Sequence, residues 1–102
     1  FKEDCPDIRN TKVIDIADEL KEYDCSVSIY DPWVNKDEAR EEFHVNLIDF
    51  PKLNTYDGIL IAVSHAKFKE MGIEKIKSFG KRDHFLYDLK FLFPLNQVDK
   101  RL

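Results

Sequence analysis

Apolar residues recur at three- and four-residue steps near the start of the chain, between Asn10 and Tyr23. The apolar positions are Val13, Ile14, Ile16, Ala17, Leu20 and Tyr23. Charged residues occupy most of the positions between them. This spacing places the apolar side chains on one face of a helix and the charged side chains on the other. The pattern therefore predicts an amphipathic helix over residues 10–23.

Short apolar segments bounded by turn residues predict the strands. The predicted strands are residues 26–30, 58–63 and 85–87, with a brief edge strand at 45–48. Asp31-Pro32 ends the first of them, because proline has no N–H to give to a strand ladder. The run GILIAV at 58–63 has no polar residue, which is typical of a strand covered on both faces.

Short helices are predicted between the strands. Asn35 and Glu38 have the spacing of an N-cap and its capping partner, for a helix that ends near Phe43. Ser64 is predicted to cap a helix through Phe68, and a further helix covers 73–79 before Gly80. Helices that alternate with buried strands predict an α/β fold, with a Rossmann-like, mostly parallel sheet flanked by helices.

The first helix has no strand before it. In a parallel sheet a crossover helix normally follows a strand, yet residues 1–9 are polar and irregular. We therefore expect that the first strand is missing from this chain and that the chain is a fragment of a longer protein. The expected place of that strand is the sheet centre, between strands 26–30 and 59–63.

Composition and charge exclude several classes of protein. The 102 residues suffice for one domain, and 43% of them are apolar, which excludes a disordered chain. Sixteen Lys and Arg against 20 Asp and Glu give a net charge of −4, so a nucleic acid is not the expected partner. The absence of a long apolar run or signal segment predicts a cytoplasmic protein that is not in a membrane. Cys5 and Cys25 are too few for a disulfide framework and lack metal-site spacing, so no metal is expected.

Candidate ligand-binding residues follow the predicted strands. Ligands of open α/β sheets bind outside the carboxyl ends of the strands. The residues expected there are Phe1, Lys2, Arg9, Asp31, Ser64, His65, Asp88 and Lys90. Cations at this edge, beside a helix N-terminus, suit a phosphate group.

Most of these residues also have a plain structural interpretation. Asp4 and Asp7 could neutralise Lys2 and Arg9, Asp31 could form a turn, and Lys90 could be solvated. Ser64 and His65 could be a helix cap and a first-turn residue. The chain has no glycine-rich phosphate loop and no convincing set of catalytic residues.

Four motifs resemble the UDP-glucose/GDP-mannose dehydrogenase family. The segment FKEDCPDIRNT at 1–11 is similar to the family pattern F-K-x-x-x-x-D-x-R-x-S/T. Tyr30-Asp31-Pro32 looks like its Y-D-P motif, and the stretch 61–65 followed by Phe68 is also similar. The residues at 87–90, YDLK, resemble its Y/F-D-x-R/K motif. The likeness covers nearly the whole chain and is strongest to the subgroup that acts on UDP-N-acetylhexosamines for surface polysaccharides.

The resemblance implies a role within a larger enzyme. In the family an N-terminal domain binds NAD, a central helical region forms a homodimer, and the C-terminal domain closes over the UDP-sugar. The enzyme oxidises the sugar C6 alcohol to a carboxylate in two NAD-dependent steps. Residues 1–102 would be the C-terminal UDP-sugar-binding domain. The nucleophilic cysteine lies upstream in the family, so neither Cys5 nor Cys25 takes that role, and the fragment alone is expected to be inactive.

The resemblance also implies individual roles. Phe1 and Lys2 match residues that contact the UDP-sugar, and Arg9 matches the arginine that reaches the NAD bound by the other domain. Lys90 matches a residue that contacts the sugar or nucleotide and is an arginine in much of the family. A lysine there offers a point charge in place of a planar two-pronged donor.

Two other classes of protein fit the strand-end residues. A phosphoreceiver-like signalling domain also places Asp, Ser and Lys at the strand ends of an α/β sheet. Magnesium-dependent formation of an acyl phosphate would distinguish that class. A non-catalytic α/β interaction module would bind no nucleotide.

Overall fold

The computed structural model describes residues 12–44, 47–90 and 92–101. The chain divides into two compact units, Phe1–Phe50 and Pro51–Leu102. All pairing between described strands is parallel, and helices accompany the strands in both units, so the α/β prediction is confirmed.

The predicted amphipathic helix is present in the first unit as α1, Lys12–Glu22. Its predicted start at Asn10 lies outside the described residues. The helix ends in a Schellman motif: the Cys25 N–H donates to the Leu20 carbonyl at 3.1 Å and the Asp24 N–H to the Lys21 carbonyl at 3.0 Å. Asp24 takes the left-handed conformation that this motif requires, with φ of 63°.

The predicted strand over 26–30 is reduced to a single contact. Ile29 forms a parallel bridge with Leu47, and the Ile48 N–H donates to the Ile29 carbonyl at 2.9 Å. The prediction of a full strand is wrong for the described chain, because a strand needs a partner along its length and only Leu47 pairs here. Of the predicted edge strand 45–48, residues 45 and 46 lie outside the described part.

The short charged helix of this unit was predicted correctly. It is α2, Lys36–Phe43, and the side-chain oxygen of Asn35 accepts the Glu38 N–H at 3.0 Å. The helix ends at His44, whose φ of 55° is left-handed.

The second unit contains a parallel sheet with the strand order β1-β2-β3. The strands are β1, Tyr56–Ile61, β2, Gly80–Asp88, and β3, Lys100–Arg101. The helices are α3, Ala66–Met71, and α4, Ile73–Lys77, and a short 3-10 helix covers Leu95–Gln97. β1 is an edge strand among the described residues, so the expected neighbour before residue 1 stays a prediction.

Several element boundaries differ from those predicted. Helix α3 begins after His65, not after Ser64, and continues to Met71. Gly72, with φ of 86°, separates it from α4, which ends before the predicted limit at Phe79. Gly80 therefore belongs to a strand and does not end a helix.

Strand β2 is longer than the predicted 85–87 because it contains an irregular stretch. Tyr56 pairs with Gly80, whereas Gly58 pairs with Phe85, so β2 has extra residues between these pairs. Glycine at position 80 allows the His84 side chain to approach closely, since an added Cβ would lie 2.3 Å from Cγ of His84 and would force a shift.

The core of this unit lies on one face of the sheet. It consists of Ile61, Ile76, Leu86, Phe93 and Val98. On the opposite face Leu60 and Phe85 are 39% and 48% exposed. Side chains alternate along a strand, and within the second unit residues of α3 and α4 pack on the core face. Coverage of residues 58–63 on the other face stays a prediction.

Candidate functional site

The carboxyl ends of β1 and β2 are level with each other. Ile61 pairs with Asp88, the last residue of β2, and the Leu89 N–H donates to the Ile61 carbonyl at 3.0 Å. The segments that follow the two strands therefore begin at the same edge of the sheet. This edge, here called the β1–β2 edge, is where ligands of parallel α/β sheets bind.

Lys90 lies two residues beyond the end of β2, and its side chain is exposed. Its backbone is fixed, because the Lys90 N–H donates to Oδ1 of Asp88 at 3.1 Å. The β1–β2 edge thus carries a cation that solvent or a ligand can reach. An ammonium group in this position can bind a phosphate or a sugar hydroxyl.

Asp88 is fully buried, and its carboxylate binds backbone and not solvent. Oδ1 accepts the Lys90 N–H and Oδ2 accepts the Phe93 N–H, the latter at 2.9 Å. The strand-end position of Asp88 was predicted, but its function in holding the following loop was not. Aspartate side chains often accept the backbone N–H two residues later, in an Asx turn. The position of Asp88 at the start of a loop is the signal that could have indicated this function.

Asp31 has a similar structural function in the first unit. Its Oδ1 accepts the Trp33 N–H at 2.8 Å and the Val34 N–H at 3.3 Å, and the residue is 9% exposed. The turn interpretation of Asp31 is therefore the one observed. A phosphoreceiver-like domain would need this carboxylate available for magnesium, and here it binds two amides.

Ser64 and His65 follow β1 at the same edge. His65 is fully buried at the N-cap of α3, and its ring packs edge-on against Phe68 with 5.2 Å between ring centroids. His65 thus packs against the first turn of the helix that it precedes. The burial of His65 indicates that the residue has a packing function and is not the base of a catalytic Ser-His pair.

Phe1, Lys2 and Arg9 lie outside the described residues, so their meeting with Lys90 at one edge stays a prediction. Within the described ranges no group of three or more His, Cys, Asp or Glu residues could hold a metal ion. The same residues include no helix that is long and apolar enough to cross a membrane.

Comparison with known proteins gives consistent matches. Residues 1–94 match the UDP binding domain of the UDP-glucose/GDP-mannose dehydrogenase family. Two curated relatives named UDP-N-acetyl-D-glucosamine 6-dehydrogenase, from Salmonella typhi and Pseudomonas aeruginosa, are 51% and 49% identical over 102 residues. Protein CapL of Staphylococcus aureus is 49% identical over 102 residues and covers 97% of the chain. No solved structure gives a significant match.

The match covers the chain but only part of each relative. The chain spans 24% of the length of each of the two 6-dehydrogenases, and 23% of protein CapL. The family resemblance inferred from the four motifs is confirmed.

Proposed function

Because the chain belongs to the UDP-glucose/GDP-mannose dehydrogenase family, we propose that it is the UDP-sugar-binding domain of an NAD-dependent UDP-N-acetylhexosamine 6-dehydrogenase. The observation that carries this proposal is the identity of 51% and 49%, over 102 residues, to two relatives named for that activity. The exposed Lys90 at the β1–β2 edge supports it, since a UDP-sugar brings a diphosphate.

The proposed reaction converts the C6 alcohol of the sugar to a carboxylate. Two hydrides leave C6 in succession, one water is consumed, and each hydride is accepted by one NAD. The covalent step uses a cysteine of the upstream part of the enzyme. The domain described here therefore binds and orients the substrate.

We propose that NAD binds to another part of the enzyme. The three glycines of the chain, Gly58, Gly72 and Gly80, lie in β1, between α3 and α4, and in β2. They do not build a glycine-rich turn between a strand and a helix, which dinucleotide binding requires. We infer that the N-terminal domain of the same enzyme holds NAD, and that Arg9 reaches the cofactor from this domain.

The proposed substrate contacts are Phe1, Lys2 and Lys90. The two lysines supply positive charge for the diphosphate, and Phe1 supplies an apolar contact. The proposed assembly is a cytoplasmic homodimer whose product enters surface polysaccharide synthesis, as the family resemblance implies.

The proposal is tested by following NADH formation with UDP-N-acetylglucosamine. The full-length enzyme is expected to form two NADH for each UDP-sugar oxidised. The 102-residue chain alone is expected to form none, because it lacks an NAD-binding loop and the nucleophile. Failure of the full-length enzyme to oxidise any UDP-sugar would contradict the proposal. NADH formation by the isolated chain would contradict the assignment of NAD binding and the nucleophile to the upstream part of the enzyme.

Substitution of Arg9 tests the proposed contact with NAD. In the full-length enzyme Arg9→Ala is expected to raise the KM for NAD about tenfold, since a charged contact to the cofactor is lost. The expected change in stability is below about 0.5 kcal/mol, because the sequence around Arg9 is polar. Steady-state kinetics and thermal unfolding measure the two effects.

Arg40→Ala is the matched control, because Arg40 is exposed on α2 and pairs with Asp37 at 2.7 Å. It should leave the KM for NAD unchanged. A large fall in melting temperature for Arg9→Ala with unchanged kinetics would instead support a structural ion pair between Arg9 and Asp7.

A further inference from the structure

The carboxylate of Asp88 is buried at the end of β2, where the following loop begins. The residue is 0% exposed, and among the described residues its two oxygens bind the N–H groups of Lys90 and Phe93, at 3.1 Å and 2.9 Å. A buried carboxylate is costly unless it is hydrogen-bonded, and both oxygens have a donor here. Asp88 therefore connects two positions of one loop.

The loop from Leu89 to Phe93 is anchored at both ends. At its start the Leu89 N–H donates to the Ile61 carbonyl at 3.0 Å. At its end Phe93 is 7% exposed and packs in the core with Leu86. Lys90 lies between these anchors, and its amide is held by Asp88 while its side chain is exposed.

We propose that Asp88 is a positioning residue for substrate binding: its carboxylate holds the loop so that the Lys90 ammonium is directed towards the UDP-sugar at the β1–β2 edge. This inference rests on the proposed function. Asp88 does not touch the substrate, because its side chain is enclosed and both oxygens bind the backbone. It acts through Lys90.

Asp99, which precedes β3, provides a matched comparison because it also binds the backbone of β2. Its Oδ2 accepts the Leu86 N–H at 2.6 Å, and its own N–H donates to the Leu86 carbonyl at 3.0 Å. Unlike Asp88, Asp99 is exposed, and among the described residues these hydrogen bonds go to Leu86 and not to Lys90 or Phe93. A substitution at Asp99 therefore disturbs β2 without changing the hold on Lys90.

The test compares Asp88→Asn, Lys90→Ala, the double variant and Asp99→Asn in the full-length enzyme. Asparagine at position 88 can accept one of the two N–H groups, but its NH2 group cannot accept the other. We expect Asp88→Asn to raise the KM for UDP-N-acetylglucosamine about tenfold, equivalent to about 1.4 kcal/mol. The kcat and the KM for NAD should change little, and Asp99→Asn should match the unsubstituted enzyme.

The double variant separates positioning from a general structural effect. If Asp88 acts through Lys90, the double variant has the same KM for the UDP-sugar as Lys90→Ala alone. Additive effects, equal rises in the KM for UDP-sugar and NAD, or an unchanged KM in Asp88→Asn would each overturn the positioning function. Where Asp88→Asn does not fold, Asp88→Ser carries the same expectations, because a single hydroxyl oxygen cannot replace the two carboxylate oxygens that hold Lys90 and Phe93.

The two levels of the proposal fail in different ways. If the Asp88→Asn variant oxidises UDP-sugars as the unsubstituted enzyme does, only the positioning function is overturned. An unsubstituted enzyme that oxidises no UDP-sugar overturns the proposed function, and the inference about Asp88 with it.

Discussion

Reversing the charge of Lys90 is expected to lower kcat/KM for the UDP-sugar about a hundredfold in the full-length enzyme. Lys90 is exposed at the β1–β2 edge, and Asp88 fixes its backbone. Lys90→Glu replaces an attraction to the diphosphate by a repulsion, and a combined change of about 3 kcal/mol corresponds to that factor. The loss should fall mainly on KM, because the proposed contact would already be made in the enzyme–substrate complex. Steady-state kinetics with UDP-N-acetylglucosamine measure it.

The control for this substitution lies at the other end of the same strand. Lys81 is exposed near the start of β2 and pairs with Asp57 at 3.1 Å. Lys81→Glu makes the same change in net charge, so any general effect on the approach of an anionic substrate is matched. It should change kcat/KM by no more than about twofold, since an exposed ion pair contributes little to the stability of the fold. Equal losses in the two variants would contradict a local function of Lys90.

Truncation of Leu86 is expected to destabilise the second unit by about 3 kcal/mol. Leu86 is 0% exposed, lies two residues before the end of β2 and packs with Ile61, Ile76 and Phe93. Leu86→Ala removes this packing but leaves its backbone hydrogen bonds with Asp99 in place. The loss is a large part of the roughly 5–15 kcal/mol by which domains are stable, so a clear fall in the urea midpoint of the 102-residue chain is expected.

Leu60→Ala is the matched control, because it is the same substitution in the neighbouring strand. Leu60 lies on the opposite face of the sheet and is 39% exposed. Its removal should cost about 1 kcal/mol or less. Equal losses of stability for the two variants would show that the core does not lie on the face that carries Leu86.

Elements stabilised by near neighbours were predictable from the sequence. The body of α1 follows from the spacing of its apolar residues, and the start of α2 follows from Asn35 and the amide three residues later. These interactions link positions within four residues of each other. Their geometry is set by the helix itself, so the sequence pattern is sufficient.

Strand limits were predicted less well, because a strand ends where its partner ends. The extra residues in β2, with His84 against Gly80, extend that strand beyond the predicted 85–87. Residues 26–30 have the pattern of a strand but only one paired residue, Ile29. β3 has no apolar pattern and exists through its pairing with Tyr87 and Asp88.

The same distinction between local pattern and packing applies to the candidate site. The sequence by itself determined the family, the parallel α/β class and the position of Lys90 just beyond a strand, because each depends on a residue pattern that can be read in order along the chain. Only the tertiary structure decided that Asp88 is enclosed and bound to Phe93, five residues on, and that Asp31 is committed to a turn. Burial and hydrogen-bond partners are properties of the packed chain. The same aspartate after a strand can therefore bind a ligand in one protein and a backbone amide in another.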